Sequence, residues 1–159
     1  MNPNNYTSQS SVIIQQAMEI AQERGQQAIE TGHLLQAILQ DDTQTASFLL
    51  KKLGVNPSQI QTALGPILQT YPKVSGDQAY ASNALQQALQ RADKLKADFG
   101  DTFVSVEVLF LSLLDGNDSV ADALKKLGLT TKNFKQAIIE LRGNRKVNDP
   151  HAESTYQSL

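Results

Sequence analysis

Neither cysteine nor tryptophan occurs among the 159 residues. Without cysteine there can be no disulfide, no thiolate metal site and no thiol nucleophile. Only two histidines are present, His33 and His151, and a ligand role for His33 would need carboxylates converging from other helices. No stretch approaches 18 consecutive apolar residues, so the pattern offers no membrane-spanning helix. The opening stretch from Met1 to Tyr6 lacks the basic segment and apolar run of a secretory leader. A strong charge of either sign is missing too. Lys and Arg number 14 against 16 Asp and Glu, a net charge of −2, which gives no basic footprint for nucleic acid. The longest basic cluster, Arg142, Arg145 and Lys146, lies near the C-terminal end. These absences leave a cytoplasmic, soluble domain as the expectation, with no nucleic-acid or membrane partner and no cofactor bound to this chain.

Catalytic patterns are missing as well. The chain contains no G-x-x-x-x-G-K-S/T phosphate loop, no H-E-x-x-H and no G-x-S-x-G. Acidic pairs such as Asp41-Asp42 and Asp115 with Asp118 fall at helix ends or turns, where capping and solvation account for them. An enzyme is therefore not expected.

What is present is helical periodicity. Hydrophobic residues make up 40% of the chain and charged residues 19%, ordinary for a folded domain. Ile13, Ala17, Ile20 and Ala21 stack on one helical face, with Thr7 or Ser8 as N-cap and a stop at Gly25. The run His33 to Leu39 reads as a buried helix with Thr31 before it as cap. A third helix covers about Gln44 to Leu53 and ends at Gly54. Asn56-Pro57 starts a fourth, carrying Ile60, Ala63, Leu64 and Ile67. Between Thr70 and Ala81 the pattern lapses into turn chemistry, Tyr71-Pro72 and Ser75-Gly76-Asp77, and reads as a linker.

The same grammar then restarts. Ser82 caps a helix with Leu85, Ala88, Leu89, Ala92, Leu95 and Phe99 on one face, broken at Gly100-Asp101. Ser105 caps Val106 to Leu114, with Glu107 favouring the helix dipole in its first turn. A turn at Asp115 to Asp118 precedes a helix from about Ser119 to Leu127. Thr130 or Thr131 caps the last one, through Phe134, Ala137, Ile138 and Leu141, and Gly143 closes it. The polar remainder is expected to be loosely held.

The halves match: Gln15-Gln16-Ala17 with Gln86-Gln87-Ala88, Lys51-Lys52-Leu53-Gly54 with Lys125-Lys126-Leu127-Gly128, and Ala63-Leu64 with Ala137-Ile138. The spacing of roughly 71 to 74 residues implies an internal repeat, with a small insertion near Phe99 to Phe103 in the second copy. Helices this short need tertiary packing to persist. The expected fold is all-α: an eight-helix bundle of two pseudo-twofold four-helix repeats, about 7–69 and 82–143, joined by a linker at 70–81. Residues 1–143 form the domain and 144–159 a connector. A duplicated bundle leaves grooves suited to apolar segments of partners.

Ala28 to Leu39, Gly100 to Leu109, and the segment Arg142-Gly143 through Val147-Asn148-Asp149 to Leu159 together resemble the repeated N-terminal domain of the Clp unfoldases, and within them the ClpB protein-disaggregating chaperone family. The resemblance spans nearly the whole chain. It implies a hexameric ATP-driven parent whose two ATPase modules, with their ATP and magnesium, would follow Leu159. It implies for this chain a substrate-binding and regulatory role, engaging exposed apolar segments of unfolded or aggregated polypeptides and restraining the parent's ring. The alternative is an adaptor-docking domain of a protease-partnered relative.

Carried over by resemblance, Thr7, Asp101 and Glu107 stand where the family has polar substrate-handling residues. Leu95 and Val108 stand at positions associated with its apolar groove. Each has a structural alternative: Thr7 as a cap, Asp101 serving its turn, Glu107 favouring its helix start, and Leu95 and Val108 as plain core. Two departures stand out. Thr31-Gly32 replaces a Pro-containing turn, expected to loosen the start of the second helix. Arg91 replaces an apolar residue on the groove side, where it would narrow the patch and favour acidic substrates.

Overall fold

The computed structural model describes residues 3–74, 76 and 78–156. Ser75 and Asp77 of the expected linker turn, and positions 157–159 of the expected connector, lie outside the described residues. The first half contains α1 (Ser8–Glu23), the short strand β1 (Ala28–Ile29), α2 (Thr31–Leu39), α3 (Thr45–Lys52) and α4 (Pro57–Thr70). The second contains β2 (Tyr80–Ala81), α5 (Asn83–Asp98), α6 (Val106–Leu114), α7 (Ser119–Lys126) and α8 (Thr131–Arg142), followed by α9 (Glu153–Tyr156). Two of the expected alternatives resolve at the caps: Thr7 opens α1 by accepting from the Ser10 N–H, and Thr130 opens α8 by accepting from Asn133.

The most apolar helices, α2 and α6, lie in the middle. Every residue of α6 is buried, a pattern that marks a central helix rather than a surface one. Around this pair, α1 packs on α2 and α5 on α6, while α3 packs against α8 and α4 against α7. The outer helices therefore interlock across the halves, and a single apolar core runs through both. Phe110 and Phe134 stack in it with ring centroids 4.7 Å apart.

The halves are also tied by backbone. The stretch before α1 pairs with the stretch before α6, Thr7 N–H donating to the Val104 carbonyl at 3.0 Å. The stretch before α5 pairs with the stretch before α2, Ser82 N–H donating to the Ile29 carbonyl at 3.0 Å. These are one interaction made twice about the pseudo-twofold axis. They appear as the parallel β1–β2 pair and the Tyr6–Val104 bridge.

The repeat register differs from the expected one. Thr7 matches Ser82, Gly25 matches Gly100 and Glu30 matches Ser105, each pair 75 positions apart. From α3 onward the spacing is 74, as for Gly54 and Gly128. Gln15 to Ala17 therefore answer to Gln90 to Ala92, one helical turn beyond Gln86 to Ala88. A four-residue slip preserves the apolar face of a helix, which is why composition alone places the match a turn early. No insertion lies near Phe99 to Phe103. The one-residue difference sits in the turns before α3 and α7, at 40–44 and 115–118.

The C-terminal stretch is another correction. Val147, Ala152 and Tyr156 are buried and form a small second core with Phe103 and Leu141. Ser8 N–H donates to the Pro150 carbonyl at 2.8 Å, and Thr102 N–H to the Val147 carbonyl at 2.8 Å. Residues 147–156 are thus a docked strap rather than a loose tail, held by three apolar anchors within a polar composition.

Candidate functional site: a buried brace and the open clefts

The five residues carried over from the family resemblance do not share an open surface. Val108 is fully buried on α6 and Leu95 is buried on α5; both belong to the core. Thr7, Asp101 and Glu107 are buried too, but they converge on one polar network with Arg142 and Glu153.

Arg142 ends α8 and is buried, 1% exposed. Its Nε donates to Glu107 at 2.9 Å, one Nη to Asp101 at 3.0 Å and the other to Ser105 Oγ at 3.0 Å. The guanidinium also lies over the Phe99 ring, 4.9 Å from its centroid. Burial works against its charge, but Glu107, Tyr156 and Asp101 outweigh that and raise its pKa. Asp101 additionally accepts from the Val147 N–H at 2.9 Å, fastening the strap. Burial pushes the Asp101 carboxyl up, against the pull of the Val147 N–H and of Arg142.

Glu153 brings a third carboxylate to the same place. Its Oε2 accepts from the Thr7 hydroxyl at 2.6 Å and from the Val106 N–H, at the start of α6, at 3.0 Å. No cation pairs with it among the described residues. Burial, reinforced by the nearby Glu107 carboxylate, raises its pKa to about 7. Thr7 is thereby a cap and a donor to the strap at once. The trio of polar residues braces α1, α6, α8 and the strap; it offers no face to a ligand.

The pseudo-symmetric place in the first half has neutral groups, Gln26 and His33, at its buried centre. Gln26, the counterpart of Asp101, donates from Nε2 to the Leu68 carbonyl at 2.8 Å. Its Oε1 lies 2.6 Å from His33 Nε2, while His33 Nδ1 accepts from the Glu30 N–H at 2.9 Å. These contacts fix the neutral tautomer with the proton on Nε2, because a proton on Nδ1 would face a donor. Burial, with Arg24 nearby, lowers the His33 pKa to about 4. The capping role expected of Thr31 falls to Glu30 instead. Thr31 donates across the seam to Asp118 at 2.7 Å, and Gly32 N–H donates to the Tyr71 hydroxyl at 3.2 Å. A Cβ at Gly32 would lie 2.7 Å from that hydroxyl oxygen, so the Thr31-Gly32 start of α2 is pinned rather than loosened. Arg91 is likewise engaged, its Nε donating to the Ser112 carbonyl at 3.1 Å.

Open surface for a partner lies at the seams between helices. Between α1 and α5, Ile14, Met18, Ile29, Leu85 and Leu89 line an apolar cleft of about 60 Å³, room for a small side chain. Between α3 and α8 a larger cleft of about 460 Å³ is lined by Phe48, Lys51, Lys52, Leu141 and Tyr156. Its pseudo-symmetric counterpart, between α7 and α4, holds about 400 Å³ among Ile67, Asp122, Lys126 and Leu127. Sequence reasoning singled out none of the lining residues of the α3–α8 cleft as a site. Its one signal was Phe48, an aromatic on a helix face otherwise polar. Among the described residues, no helix is long and apolar enough to cross a membrane.

The family model for the Clp repeat N-terminal domain matches residues 5–156. This chain belongs to that family. It is 38% identical over 159 residues to the chaperone protein ClpB of Bacteroides thetaiotaomicron, covering 100% of this chain and 18% of the relative. The ClpB of Porphyromonas gingivalis is similar to the same degree, 38% over 159 residues, with the same coverage. The chain thus spans 18% of the length of these curated relatives. Among solved structures, the Hsp104 N-terminal domain from Candida albicans superposes with a TM-score of 0.82 at 25% identity, covering 94% of this chain and 99% of that one. A ClpV N-domain in complex with a VipB peptide shares the fold, with a TM-score of 0.70 at 20% identity and 85% of each chain covered. The family resemblance and the all-helical duplicated fold both hold.

Proposed function

We propose that this chain is the substrate-binding and regulatory N-terminal domain of an ATP-dependent, cytoplasmic, hexameric disaggregating chaperone, and that it engages exposed apolar segments of unfolded or aggregated proteins. The observation that carries the reading is family membership over residues 5–156, with ClpB chaperones as relatives along the full chain. The open apolar clefts at the helix seams supply surface for such segments. A neighbour of the same fold is described in complex with a peptide. ATP and magnesium belong, on this reading, to ATPase modules of the parent.

A shallow cleft that accepts many sequences optimises contacts to none, so binding is weak, about micromolar or weaker. Fluorescence anisotropy with a permanently unfolded protein, and with its folded form, tests the reading. Binding of the unfolded form alone supports it. Equal binding of both forms, or tight binding reserved for a folded partner, would make this an adaptor-docking domain instead.

A further inference from the structure

The α3–α8 cleft and its α7–α4 counterpart have the same backbone setting and different chemistry. Phe48 is 54% exposed at the lip of the first, where the second carries Asp122. Tyr156 of the strap walls the first cleft, whereas no aromatic stands among the residues lining the second. Lys125 is occupied by the Gly116 carbonyl at 3.0 Å. Its counterpart Lys51 is exposed at the lip of the α3–α8 cleft and makes no ion pair among the described residues. Lys52 reaches across that cleft to Glu140 at 2.9 Å, an exposed pairing that an incoming carboxylate can replace at little cost.

Resting on the reading that the domain binds unfolded segments, we infer that the α3–α8 cleft receives an extended polypeptide segment carrying a bulky apolar side chain next to an acidic residue. The apolar group packs on Phe48, Leu141 and Tyr156, and the carboxylate meets Lys51 and Lys52. The α7–α4 cleft, lined by Asp122 beside Lys126 and by no aromatic, offers that carboxylate no net positive charge and the apolar group no ring to pack on. The domain therefore has one such site despite its internal symmetry.

The test is an NMR titration of the 159-residue chain with two ten-residue peptides, one with phenylalanine flanked by aspartates and one with phenylalanine flanked by lysines. A permanently unfolded protein is titrated alongside. The aspartate peptide should move the amides of Phe48, Lys51 and Leu141. It should bind about fivefold more tightly than the lysine peptide, the scale of one or two exposed charge contacts. Phe48→Asp, an exposed position whose change leaves the core intact, should weaken it about tenfold, the scale of losing one aromatic anchor. Lys51→Gln should weaken it about threefold. Unchanged binding in Phe48→Asp, or shifts confined to the α1–α5 seam, would overturn this site while leaving the general reading in place. Dilution-dependent shifts at Phe48 without peptide would mean that a second copy occupies the cleft, and would overturn it too. No response to the unfolded protein anywhere would instead remove the general reading itself.

Discussion

At equivalent junctions, the two halves solve one packing problem with opposite chemistry. In each, the residue after a left-handed glycine reaches the end of the half's last long helix: Gln26 reaches Leu68, and Asp101 reaches Arg142. The first half closes this junction with an amide, a neutral imidazole and a carbonyl. The second closes it with a guanidinium and three acidic side chains, Asp101, Glu107 and Glu153. The difference follows from what each junction must hold. The first leads only into the linker, whereas the second also holds the strap at 147–156 through the Val147 N–H and Glu153. Buried charge gives directional anchoring for a segment with few apolar residues of its own, but it makes that anchoring depend on protonation.

The proton responses of the halves accordingly have opposite signs. The Glu153 pKa is raised from 4.5 to about 7, so the folded state holds a proton that the unfolded chain releases between those values. Its stabilisation is complete below about 4.5 and is lost as pH rises through about 7. The His33 pKa is lowered from 6.5 to about 4, so its contribution is present above about 6.5 and is lost as pH falls through about 4.

The largest effect that would sharpen the contrast is at Arg142. Arg142→Met leaves Glu107 and Asp101 as uncompensated buried carboxylates and should cost about 3–5 kcal/mol in urea unfolding. Gln26→Ala at the matching place should cost only about 1–3 kcal/mol; equal losses would break the comparison. Next is Glu153→Gln. Removing a titration displaced from 4.5 to about 7 should abolish about 3 kcal/mol of pH-dependent stability between those values. An unchanged stability–pH profile would show that the strap does not depend on that proton. Smaller again is Gly32→Ala, which drives a methyl against Tyr71 and should destabilise by about 1–3 kcal/mol in thermal unfolding.

Much of the architecture was legible because caps and glycines mark helix ends locally: Thr7, Ser82, Ser105, Gly54 and Gly128 all stand where spacing and side-chain chemistry put them. The repeat register was not, since a slip from Ala92 to Ala88 keeps the same helical face. The site was harder still. Leu95 and Val108 look alike as core or as groove, because hydrophobicity does not say which side of a helix meets solvent. Arg142 beside Arg145 and Lys146 reads as a surface cluster until tertiary structure brings Asp101 and Glu107 to it across 41 and 35 positions. Glu153 lies in a polar tail whose three apolar anchors carry no periodicity. Phe48 was visible as a letter, but its exposure depends on where α8 lies.

A residue-resolved NMR titration of the chain from pH 4 to 8.5 tests most directly whether charge anchors one half and neutral groups the other. The amides of Thr7, Val106 and the strap should shift together with a midpoint near the pKa of about 7 expected for Glu153, while those of Gln26, Glu30 and His33 stay unchanged until the pH nears 4. A strap that titrates near 4.5, or first-half amides that move near 6.5, would contradict it.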